Sequence, residues 1–83
     1  MFSEPELNKL RWRSRRGMLE LDLLLVPFFD EEFSTLSEQM QLTFITLLEQ
    51  EDPDLLRWFS NKGKPEDDAL AELIRVILER VQP

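Results

Sequence analysis

The sequence predicts a small all-α bundle of about five helices, forming a single domain over residues 1–83. Three observations point there. Apolar residues recur at helical spacing in the clearest segments, above all near the end of the chain. β-Branched residues are nearly absent from the one stretch that alternates like a strand, and no other stretch offers it a partner. Pro53, Pro65, Gly17, Gly63 and short polar residues such as Ser37 and Asp52 fall where helices start and stop.

The last helix is the clearest. Leu70, Leu73, Ile74, Ile77, Leu78 and Val81 fall on one helical face. Pro65 suits its first turn, and Glu66, Asp67 and Asp68 suit the positive end of its dipole. Arg75 and Glu79 form an i,i+4 pair on the outer side. The preceding segment runs from about Pro53 to Asn61, with Asp52 as N-cap, Pro53 as first helical residue and Gly63 as the stop. A further helix runs from the N-cap Ser37 to about Gln50, burying Met40, Phe44, Leu47 and Leu48, with Ile45 widening the face.

Nearer the N-terminus, Glu6 to Arg15 forms a basic helix with a thin stripe of Leu7 and Leu10. Gly17 interrupts it. Met18 to Phe33 opens with Leu19-Glu20-Leu21-Asp22-Leu23, an alternation of period two. Leucine favours helix, so this too is predicted helical, with Pro27 kinking it or ending its first half. Candidate core residues are the leucine stripes with Phe28, Phe29, Phe33, Phe44, Trp58 and Phe59.

Composition excludes much chemistry. The 83 residues contain no cysteine, histidine or tyrosine, and only two glycines. Thiol nucleophiles, disulfides, zinc-thiolate sites, imidazole bases and histidine ligands are therefore absent. Gly17 and Gly63 stand alone, so no phosphate-binding glycine loop exists. No catalytic residue, no metal site and no stably bound cofactor is expected. The acidic N-terminus and a longest apolar run of seven residues, Leu23 to Phe29, predict a soluble cytoplasmic protein without membrane insertion. A monomer is expected, although the small core and an exposed patch also permit a dimer.

The net charge of −7 is unevenly spread. Residues 1–16 carry five basic and two acidic side chains, whereas residues 17–83 carry five basic and fifteen acidic. The acidic body would repel phosphate, which argues against nucleic acid. The unusual feature is Trp12-Arg13-Ser14-Arg15-Arg16-Gly17-Met18-Leu19-Glu20-Leu21-Asp22. Arg16 near a helix C-terminus and Glu20 near the next N-terminus each favour a helix dipole by about 0.3–1 kcal/mol. That alone describes a capped turn. Bulky Trp12 and Met18 among arginines instead suggest an interface, because tryptophan and arginine anchor interfaces and methionine adapts to them. On these residues, a docking patch and a simple capped turn both stand.

Arg16-Gly17-x-x-Glu20 resembles the RGxxE motif of the succinate dehydrogenase assembly factor 2 family, called SdhE in bacteria. The longer run Trp12-x-x-Arg15-Arg16-Gly17-Met18-x-Glu20-Leu21-Asp22 is similar to its signature. So are Pro27-Phe28-Phe29, Leu47-Leu48-Glu49-x-x-Asp52-Pro53-Asp54-Leu55 and the stretch from Trp58 to Pro65. The likeness spans about residues 7–80. It implies a five-helix assembly chaperone that promotes covalent attachment of FAD to a histidine of the flavoprotein subunit of succinate dehydrogenase, and in bacteria of the related fumarate reductase. FAD is then attached to the partner. The implied partner-binding surface is Arg16, Gly17 and Glu20, flanked by Arg15, Met18 and Asp22, with Arg16 and Glu20 hydrogen-bonding the partner. Other readings are a small acidic adaptor with a different client, a nucleic-acid binder using the basic first helix, and an enzyme using paired carboxylates such as Glu31/Glu32 or Asp67/Asp68. Adjacent acidic residues at helix ends are usually caps or solvated faces, which disfavours the last.

Overall fold

A computed structural model describes residues 2–81. Among these residues there are five α-helices, one 3₁₀ turn and no strand.

Helix α1 covers Glu4–Ser14. It starts two residues before the expected Glu6 because Ser3 and Glu6 form a capping box, a local signal that the leucine stripe does not carry. The Ser3 hydroxyl accepts from the Glu6 N–H at 3.3 Å, and Glu6 Oε1 accepts from the Ser3 N–H at 2.8 Å. These bonds to Ser3, its backbone N–H first, hold the Glu6 carboxyl below its ordinary range.

Helix α2 covers Leu19–Glu32 and runs through Pro27. The proline does not end it. Pro27 has no N–H for the Leu23 carbonyl, but Leu23 is exposed, so water can satisfy that oxygen. The leucine alternation resolves into two helical rows. Leu21, Leu25 and Phe28 are fully buried, while Leu19 and Leu23 face solvent.

A 3₁₀ turn at Phe33–Thr35 leads to α3, Glu38–Leu48, which ends two residues short of Gln50. Ser37 caps α3 as expected, accepting from the Met40 N–H at 3.2 Å. Gln41 is buried against the 3₁₀ turn and donates to the Phe33 carbonyl at 2.9 Å.

Helix α4 covers Asp52–Phe59. Its N-cap is Glu51, not Asp52. Asp52 lies inside the first turn, and its carboxylate is drawn to a distant arginine. Gly63 does not stop the helix either. Asn61 adopts φ 62° there, and the Lys62 N–H reaches back to the Arg57 carbonyl at 2.9 Å. Asparagine tolerates the left-handed region well enough to end a helix. Gly63 instead lies close to the Arg57 side chain.

Helix α5 covers Asp68–Val81, so Pro65 lies upstream of it rather than in its first turn. Asp67 supplies the cap: its Oδ1 accepts from the N–H groups of Ala69 and Leu70, at 2.8 and 3.1 Å. Leu70, Leu73, Ile74 and Ile77 are buried, but Val81 is exposed. Arg75 binds both Glu72 and Glu79. Hydrogen bonding to Arg75 lowers the Glu72 pKa, and the two carboxylates raise that of Arg75.

The centre is aromatic. Phe29, Phe33 and Phe44 cluster with centroids 4.9–6.0 Å apart, Phe33 meeting Phe44 edge-on, and Phe28 stacks on Phe44 at 5.9 Å. Phe59 is only half-buried, at the rim. Helix α5 packs on α3 and α2, and α1 packs on α2 and α3. Arg80 of α5 reaches Glu31 and Glu32 of α2. That acidic pair is therefore a structural partner for α5. The same arrangement leaves the α1–α2 connection at the surface, beside the junction of α3 and α4.

Candidate functional site

The connection is short. Helix α1 ends at Ser14 and is capped by Arg15, whose N–H donates to the Trp12 carbonyl at 3.2 Å. Ser14 is fully buried, and its hydroxyl donates to the Leu10 carbonyl at 2.9 Å. Gly17 has φ +80°, which L side chains rarely adopt. A Cβ there would meet no atom within 4 Å, so the glycine serves conformation and leaves open space above the turn.

Arg16 turns inward. Its side chain is only 15% exposed. Nε donates to Asp52 Oδ1 at 2.8 Å, Nη1 to the Leu48 carbonyl at 2.8 Å and the Arg13 carbonyl at 3.3 Å, and Nη2 to the Gln50 carbonyl at 2.7 Å. Four of the five guanidinium N–H groups thus have acceptors inside the chain. The Leu48 carbonyl closes the last turn of α3, where helices leave oxygens without partners, and the Gln50 carbonyl follows in the short connection to α4. Arg16 therefore caps the end of α3 from the α1–α2 connection and joins it to the first turn of α4.

Asp22 completes the brace. Its Oδ1 accepts from the Arg16 N–H at 2.7 Å, tying the first turn of α2 to the residue before Gly17. The six residues singled out in the sequence thus share one turn but divide into two groups. Arg16 and Asp22 hold the turn from within. Arg15, Gly17 and Glu20 are exposed, and half-buried Met18 packs on the core edge. No ion pair links Arg16 to Glu20 among the described residues.

Sequence reasoning missed Asp52 as a member of this site, having assigned it as a cap. Leu19 and Leu23 were also missed as surface residues, at 69% and 61% exposure. Continuing the helical reading of the leucine alternation outlines that outer row. Trp12, singled out as odd, is 75% exposed. Among the described residues, no group of acidic side chains converges to hold a metal ion, and no helix is long and apolar enough to cross a membrane.

A family profile described as "Flavinator of succinate dehydrogenase" matches residues 8–81. The chain belongs to this family. A "FAD assembly factor SdhE" from Pseudomonas aeruginosa is 53% identical over 83 residues, covering all of this chain and 99% of the relative. The Pseudomonas putida protein of the same name is 49% identical over the same span. One from Idiomarina loihiensis is 50% identical over 75 residues, covering 90% of this chain and 83% of the relative. The solution structure of a UPF0350 protein superposes with a TM-score of 0.80 at 40% identity, covering 96% of this chain and 85% of that one. The flavinator family is one of assembly factors rather than enzymes. Its profile spans both the α1–α2 turn and the α3–α4 junction that Arg16 connects.

Proposed function

We propose that this chain promotes covalent attachment of FAD to the flavoprotein subunit of succinate dehydrogenase, docking on that subunit through the surface around the α1–α2 turn. The observation that carries the reading is membership of the flavinator family across residues 8–81, with full-length relatives called FAD assembly factors. The partner supplies both the FAD and the acceptor histidine; this chain contains no histidine. The related fumarate reductase flavoprotein is a second client in the same reading, and the encounter takes place in the cytoplasm.

The chain's contribution is positional. Bond formation between flavin and histidine needs the two held in attack geometry, and ideal positioning contributes up to about 7–11 kcal/mol. Arg15 and Glu20 project into solvent, where they can make charge-assisted hydrogen bonds to the subunit. Gly17 lets the partner approach the backbone closely. In this proposal Arg16, expected from the resemblance to bond the partner, acts from within the turn. With four N–H groups engaged, Arg16 and Asp22 hold Arg15, Gly17, Met18 and Glu20 in a presentable shape.

The test uses cells lacking their own factor and producing the flavoprotein subunit. Wild type, Arg15→Ala or Glu20→Ala is restored, and in-gel flavin fluorescence after denaturation reports covalent FAD. Wild type should restore fluorescence, and the variants should weaken it while melting like wild type. Equal fluorescence with wild type and empty vector, both samples holding soluble subunit, would reject the reading.

A further inference from the structure

The surface beside the turn carries more than the turn itself. Helices α1 and α2 pack together, and Arg11 binds Asp30 across them at 3.0 Å. Between the helices lies a groove of about 380 Å³, lined by Arg11, Trp12, Arg15 and Val26. Val26 belongs to the groove and to the outer row of α2. Leu19, Leu23 and Val26 stand at offsets 0, 4 and 7, on one helical face. Single exposed leucines are ordinary, but a joined apolar surface marks a contact site. Trp12, Leu19 and Leu23 are three of the most exposed large hydrophobic residues of the fold.

The rim is cationic. Arg11 and Arg15 both line the groove, and Arg15 has no ion pair among the described residues. Its charge stands out on a chain of net charge −7. A second copy docked about a two-fold axis would set this arginine-rimmed patch against the same patch, with like charges opposed. An anionic lipid surface would meet the acidic body together with exposed Glu20 and Asp30. A protein segment combining an apolar side chain with a carboxylate satisfies both features.

Resting on the function proposed above, we infer that the α1–α2 groove seats a segment of the flavoprotein subunit that carries an apolar side chain beside a carboxylate. The apolar group lies against Trp12, Leu23 and Val26, and the carboxylate meets the Arg15 guanidinium. Docking then extends along α2, beyond the turn. Docking would bury the exposed Trp12 and pair the free Arg15, and a tryptophan and an arginine desolvated together concentrate affinity at protein interfaces.

The experiment measures binding of the purified, FAD-loaded flavoprotein subunit of succinate dehydrogenase to wild type, Trp12→Ala, Leu23→Ala, Arg15→Glu and a control, Leu42→Arg. Leu42 is 61% exposed on α3, away from the groove lining. Trp12→Ala and Leu23→Ala should each weaken binding by about tenfold or more, with Leu42→Arg unchanged. Arg15→Glu should weaken it similarly and flatten its dependence on salt. All four positions are exposed, so the variants should melt like wild type. A photo-crosslinking residue placed at position 23 should capture a flavoprotein peptide with Asp or Glu near an apolar residue. Wild-type binding with unaffected groove variants, or a captured peptide without acidic residues, overturns the groove assignment and leaves the assembly role standing. No wild-type binding overturns both. Co-sedimentation with phosphatidylglycerol vesicles abolished by Trp12→Ala would reassign the surface to a membrane. Self-association abolished by Leu23→Ala would reassign it to a second copy.

Discussion

Replacing Arg16 with alanine removes one ion pair and three hydrogen bonds to carbonyls at once. A hydrogen bond to a charged group contributes about 1.5–3 kcal/mol net, and such bonds within one network do not add fully. The Asp52 carboxylate is 33% exposed, so water compensates part of the loss there. The expected destabilisation is about 2–4 kcal/mol. A chain this size has roughly 4–12 kcal/mol in total, so the variant should still fold. Its Tm should fall by about 10–25 °C. Arg16→Lys should recover little, because an ammonium cannot reach acceptors spread around a guanidinium plane. The assay is thermal and urea unfolding of Arg16→Ala, Asp52→Ala and the double variant. Coupling between the two positions should reach about 0.5–3 kcal/mol. A melting temperature like that of wild type, or zero coupling with Asp52, would refute the bracing role and return Arg16 to the partner surface. Arg15→Ala is the matched comparison, one residue away but exposed, and should leave Tm within about 2 °C.

Other consequences follow from the same geometry. Gly17→Ala should cost about 1–2 kcal/mol in unfolding free energy with no steric clash, because only the positive φ is penalised; a larger loss, or none, would contradict this. Asn61→Gly should leave stability unchanged or slightly higher, while Asn61→Ala should lower it by about 1 kcal/mol in urea unfolding, since position 61 rather than Gly63 ends α4. The Glu6 carboxyl is held below its ordinary value of 4.5, so its contribution is present above that value and lost as pH falls through the lower folded-state pKa. Glu6→Gln should therefore reduce stability near neutral pH and flatten its decline on acidification, followed by Tm from pH 7 to about pH 3.

Much of this protein is local and was legible as such. The Ser37 cap, the apolar face of α5 from Leu70 to Ile77 and the break at Gly17 depend on residues within a few positions of one another. Helix ends were harder, because several residues compete for each cap. Ser3, Glu51, Asn61 and Asp67 prevailed over equally reasonable neighbours. The turn stands out in the sequence as the unusual feature, with its charged and apolar residues side by side.

The division of labour within that turn depends on the tertiary fold. Arg16 and Arg15 are identical side chains one residue apart, and no local rule sends one inward and the other outward. The acceptors of Arg16 in the α3–α4 region lie 32, 34 and 36 residues away. Two of them are backbone carbonyls, which every residue possesses and which therefore leave no trace in the sequence. The two leucine rows of α2 pose the same problem. Both are apolar, and only the packing of α1, α4 and α5 on one side decides that Leu21 and Leu25 form core while Leu19 and Leu23 remain in solvent. The sequence by itself determines that these helices form and where their chemistry clusters, because those choices are made within a turn or two of backbone. Which charges brace the fold and which residues remain free for a partner are decided when distant helix ends meet.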